Sequence, residues 1–124
     1  MNQKNVYELF PDPIFHYKLE NYKKINKELL NYILELQKKD KKGNNRSNRG
    51  GWHSPNFDLV NPGPPINFIN SFKDFLKHII VDEFGWEYTP NKQRVVAMWA
   101  IINKKNSYNV RHNHQNCYLS SAYY

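Results

Sequence analysis

An α+β fold is what this sequence predicts, on three observations. Two stretches carry apolar residues at a helical period, one run is β-branched and almost uninterrupted, and the closing segment has the aromatic content of a strand. At 124 residues the chain predicts a single domain, 1–124, large enough to bury roughly two-thirds of its unfolded surface around one core. Its 40% hydrophobic and 15% aromatic content argues against intrinsic disorder, because the polarity comes mostly from Asn and Lys.

The first element read from the sequence is a turn around Pro11 and Pro13 leading into a short strand that carries Ile14, Phe15, Tyr17 and Leu19. Two prolines put such a strand at a sheet edge or at its own start. Next, Ile25, Leu29, Tyr32, Ile33 and Leu36 fall on one helical stripe, with Asn21 as the N-cap and Lys38 and Lys39 suited to the C-terminal end of the dipole. Residues 43–65 have no helical period and are rich in Gly, Asn, Ser and Pro, so they read as a long loop with one short strand around residues 57–60. Loops of this length in compact domains are functional or disordered. Pro65 suits the first position of a second helix, whose stripe is Phe68, Ile69, Phe72, Phe75, Leu76, Ile79 and Ile80, with Gly85 past its end. His78 lies beside that stripe and reads as a packed or surface histidine. The run 94–103 then predicts a strand buried on both faces, followed by a turn at 104–107 and a final strand from Tyr108 onward.

Charge narrows the function classes. The formal net charge is +7, yet residues 38–49 alone carry six basic side chains and one acidic one, a net of +5. The excess belongs to one loop, not to a basic face, which weakens a general nucleic-acid-binding reading. One cysteine, Cys117, cannot form an internal disulfide, the N-terminus lacks the apolar block of a signal peptide, and no run of about 18 apolar residues occurs. The expectation is a soluble, cytoplasmic protein with no membrane partner.

The sharpest chemical signal is His112 and His114. Two apart on an extended segment, they fall on one face with Cα atoms about 6.6 Å apart, close enough to converge on one metal ion. Cys117 is three residues from His114 and therefore on the opposite face of a straight strand, which argues against it as a ligand. In the loop, Trp52 and His53 allow two readings: a tryptophan covering the sheet edge beside a histidine bonded to loop backbone, or a lid over substrate.

Leu9-Phe-Pro-Asp-Pro-Ile, Ser47-Asn-Arg-Gly-Gly-Trp-His-Ser, Trp99, Tyr108-Asn-Val-Arg-His-Asn-His and Leu119-Ser-Ser-Ala-Tyr-Tyr occur in this order along nearly the whole chain. Together they resemble the N-terminal part of a family of iron(II)- and 2-oxoglutarate-dependent oxygenases. The resemblance implies a double-stranded β-helix, the jelly-roll or cupin-like fold, incomplete here and supported by two N-terminal helices. It also implies Fe(II) as the metal and 2-oxoglutarate as cosubstrate, used with O₂ to oxidise an unactivated C–H bond. By the family pattern, His112 takes the place of the first metal histidine and His114 that of a carboxylate. The departure leaves two alternatives: a site of three histidines, or one ring that supports the other without binding metal. The neighbouring amides Asn113 and Asn116 are poor iron ligands. Tyr124 resembles the strand tyrosine that in some members hydrogen-bonds the cosubstrate, and Asn103 lies where a polar strand residue could do likewise; in the long loop, Arg49, Trp52 and His53 are the candidate substrate contacts.

The distal histidine and the basic residue for the 2-oxoglutarate carboxylate would lie after residue 124, so the sequence predicts a truncated domain that is inactive by itself. Amino acid, protein side chain, nucleotide and small metabolite all stay open as substrates, and pairing into a homodimer stays open as a way to complete the barrel. Two other classes compete. A basic-loop nucleic-acid-binding module would use residues 38–49 with Trp52 as a stacking platform, and would bind more weakly as salt rises. An interaction fragment without chemistry would bind neither metal nor nucleic acid.

Overall fold

Two helices packed on each other and two short antiparallel ribbons make up the computed structural model, which describes residues 12–89 and 92–124. The α+β class predicted from the sequence is what the chain adopts. Helix α1 spans Tyr22–Lys39 and helix α2 Pro64–His78, and α2 continues into a π-helical turn over Ile79–Glu83. Both helices form where the apolar period predicts them. Their ends follow the expected chemistry in part: Lys38 and Lys39 fill the last turn of α1, and Pro64 and Pro65 open α2, where missing N–H groups cost nothing. Asn21 occupies the N-cap of α1 without a side-chain capping bond; its carbonyl accepts from Lys24 and Ile25 instead.

Leu19, Ile25 and Leu29 are buried together, with Ile33 of α1 and Phe68 and Phe72 of α2 packed against them. Burying side chains of this size stabilises by about 1.5–3 kcal/mol each, so this seam fixes how α1 lies on α2. The C-terminal tail joins it: the Tyr123 ring packs 4.7 Å from Phe68, and its hydroxyl donates to Asn26 Oδ1 at 2.6 Å.

Strand β1 (Asn48–Arg49) pairs antiparallel with β4 (Tyr108–Asn109), and β2 (Trp52–His53) with β3 (Ile101–Ile102). The second ribbon runs on irregularly, since Ser54 N–H donates to the Ala100 carbonyl and Phe57 N–H to that of Met98, at 2.9 and 2.8 Å. Ser54 is wholly buried, and its hydroxyl accepts from Ala100 N–H while donating to the Pro55 carbonyl.

Four sequence expectations are corrected here. Residues 12–19 form no strand: they lie along the helices, Phe15 against Phe84, Tyr17 stacked on Phe75, and Ile14 exposed. The preceding Leu9 to Pro11 lie outside the described residues. The strands of the long loop fall at 48–49 and 52–53, not at 57–60. The run 94–103 is not buried on both faces; only Ile101 and Ile102 are strand, and Val96 is 67% exposed. Its ladder partner is β2, and residues 94–103 are exposed or half-buried throughout. The last strand ends at Asn109, and residues 110–124 are irregular, with a turn at Gln115 and Asn116. A strand needs a partner for its N–H and C=O groups; Val110 N–H still donates to the Ser47 carbonyl at 2.9 Å, and beyond it no ladder forms among the described residues.

His78 is a surface histidine beside the π-helical turn, its Nδ1 2.6 Å from Asp82 and its Nε2 3.2 Å from Glu83. The hydrogen bond to Asp82 leads in raising its pKa above the ordinary value, with the charges of Asp82 and Glu83 adding to it. A raised folded-state pKa makes a contribution to stability that is complete below the unfolded value of about 6.5 and is lost as pH rises through the folded one. The urea midpoint is therefore expected to fall across that window, and the fall is expected to shrink in His78→Gln; an unchanged slope in the variant would assign the pH dependence to other groups.

Candidate functional site

A chain of rings links the long loop to the histidine segment. His53 stacks on Trp99 with centroids 5.7 Å apart and planes 12° from parallel. Trp99 in turn contacts His114 at 5.5 Å, and His114 meets His112 edge to face at 4.9 Å. The register of the β2–β3 ribbon explains the first contact. His53 lies opposite Ile101, and Trp99, two residues earlier, is the diagonal neighbour on the same face, within reach of a large aromatic ring.

His112 and His114 thus come together without the straight strand that their spacing suggested. The Nδ1 of His112 lies 2.8 Å from the Val110 carbonyl. A carbonyl only accepts, so Nδ1 carries the proton and the Nε2 lone pair of the neutral ring is left for a ligand, the arrangement usual among metal-binding histidines. Imidazole nitrogens bind divalent metals at about 2.0–2.1 Å, which puts ring centroids roughly 3.2 Å from the ion and two adjacent ligand rings about 4.5–5.2 Å apart. The 4.9 Å separation lies inside that interval. Among the described residues no group of three His, Cys, Asp or Glu side chains that could hold a metal ion comes together. Cys117 is exposed.

The long loop holds its shape by backbone-directed bonds. Buried Asn48 accepts from Arg46 N–H and donates to the carbonyls of Asn44 and Gly51. Trp52 is 7% exposed, with Nε1 donating to the Asp40 carbonyl at 2.8 Å. His53 is equally buried and donates from Nδ1 to the Ser54 carbonyl. Arg49 is exposed, its Nη1 donating to the carbonyls of Arg46 and Asn48.

Of the other residues assigned from the sequence, Asn103 donates to Asn109 Oδ1, tying the two ribbons, and its side chain fills the space a Cβ on Gly51 would need. Tyr124 is fully exposed, while Tyr123 is the tyrosine that packs. Trp99 is the site residue that sequence reasoning did not assign; only the cross-strand register could have revealed it. No helix among the described residues is long and apolar enough to cross a membrane. Comparisons with protein-family models, with characterised proteins and with solved structures return no match to this chain.

Proposed function

We propose that this chain supplies the first two metal positions, His112 and His114, of an iron(II)- and 2-oxoglutarate-dependent oxygenase acting on an unidentified substrate, on a double-stranded β-helix begun by the two ribbons. The observation that supports this reading best is the 4.9 Å approach of two imidazoles, one held by a backbone carbonyl so that its Nε2 faces outward as a donor. When bound, Fe(II) with 2-oxoglutarate would supply the power to activate O₂ toward a C–H bond. In that reading the chain's own residues orient and shelter. Val110 sets the tautomer of His112, and Trp99 limits how far the His114 ring can turn, with His53 bracing Trp99 from the loop.

An anaerobic titration with Fe(II), or with Co(II) as its spectroscopic stand-in, tests the reading. Wild type is expected to bind one equivalent. His112→Ala and His114→Ala are each expected to bind at least about tenfold more weakly, as loss of a ligand or its support usually costs. Equal weak binding by all three chains would remove the paired-ligand reading.

A further inference from the structure

A second cleft, of about 220 Å³, opens on the other side of the β2–β3 ribbon. Trp52 and Ile102, which face each other in the register, form its floor, whereas His53, Ile101 and Trp99 belong to the opposite face. Around the rim stand Lys41, Lys42 and Lys104 with the amide of Gln37, and no carboxylate lines it. None of the three lysines is in a salt bridge among the described residues. The nearest acid in sequence, Asp40, spends one carboxylate oxygen on Gly43 N–H. The carbonyl end of α1 also points toward this region and would repel an anion, but Lys38 and Lys39 in its last turn offset that partial charge.

We infer that this cleft binds a small phosphate-bearing anion, such as a diphosphate or phosphate monoester group. Clefts lined by one sign of charge over low-dielectric walls focus the field and concentrate counter-ions. The cations here are all lysines, compact point charges of the kind that hold phosphate groups. A nucleic-acid strand fits less well. The one aromatic ring at the cleft, Trp52, is only 7% exposed and offers little surface to a stacked base. The turn residues Gly50 and Gly51 complete the lining. Because the ring stack lies on the far face, this site is independent of the metal proposal.

Titration of the metal-free chain with inorganic pyrophosphate at low ionic strength, followed by calorimetry and by amide NMR, tests the inference. Saturable 1:1 binding is expected, with the largest shifts at Lys42, Gly50, Gly51 and Lys104. A Lys41→Gln/Lys42→Gln/Lys104→Gln variant, which changes only exposed side chains, is expected to keep its circular dichroism and to bind about tenfold or more weakly, the scale of three partly exposed charge contacts. A Lys23→Gln/Lys27→Gln/Lys73→Gln variant, with the same charge loss on the helices, is expected to lose less than about twofold. No saturable binding, or equal loss in both variants, would overturn the site. Binding of a single-stranded oligonucleotide that is tighter per phosphate and depends on the same three lysines would overturn it in favour of a nucleic-acid surface.

Discussion

Trp52→Ala is expected to cost about 3–5 kcal/mol of stability, the range for deleting a large buried aromatic side chain. The indole is 7% exposed and sits where three structural features meet: the end of α1, the β2–β3 ribbon and the loop between them. Its Nε1 donates to the Asp40 carbonyl, so the substitution removes both a large apolar contact area and the partner of a backbone group just past the helix. Loss of the ring also empties the space beside Gly43, whose neighbour Asn44 donates its N–H to the His53 carbonyl, and His53 is one end of the ring stack. The urea midpoint followed by far-UV circular dichroism measures the cost. A loss below about 1 kcal/mol, ordinary for a surface change, would mean that Trp52 is not the anchor of this loop.

Gly43→Ala is expected to cost about 2–4 kcal/mol. Gly43 has φ +63, where an L side chain costs roughly 1–2 kcal/mol. A Cβ there would also lie 2.6 Å from the His53 carbonyl oxygen and 2.7 Å from the Trp52 indole, contacts that neither the backbone nor a buried ring can relieve cheaply. Gly85 supplies the control. Its φ is +64, yet an added Cβ would meet nothing within 4 Å, so Gly85→Ala carries the backbone strain alone. The difference between the two variants isolates the close approach of Gly43 to Trp52 and His53; equal losses would show that the approach contributes nothing.

Helices α1 and α2 were legible in the sequence because an apolar stripe at a 3.6-residue period is a local property, recorded within one element. Pro65 and Gly85 marked the ends of the second helical region to within a residue or two, although its last turn being π-helical carried no local sign. Strands were less legible, since pairing depends on distant segments. The apolar run 94–103 looked like a buried strand, but burial is decided by what lies on either side, and it has one partner in the irregular stretch 52–57. Residues 12–19 have strand composition and are spent on helix packing instead.

The candidate site divides along the same line. His112 and His114 could be singled out because their spacing is short. Their approach, however, comes from an irregular segment held by the Val110 carbonyl, which no period predicts. Trp99 and His53 meet through register, and Lys104 joins Lys41 and Lys42 only because β3 folds back on β2. Trp52 shows how one residue can carry different readings: an aromatic in a basic loop suggests a stacking platform, whereas in the fold its indole is 7% exposed and hydrogen-bonded to the end of α1.

The paired use of His112 and His114 is tested most directly by long-range ¹H–¹⁵N NMR of the imidazole rings during a Zn(II) titration. Metal-bound, protonated and lone-pair nitrogens differ strongly in ¹⁵N shift, so each ring reports which atom binds. The expected result is a 1:1 transition in which Nε2 of His112 and one nitrogen of His114 shift together, Nδ1 of His112 keeps its proton on Val110, and His53 and His78 stay unchanged. Shifts at only one of the two rings, or comparable shifts at His78 and its carboxylate neighbours, would contradict it.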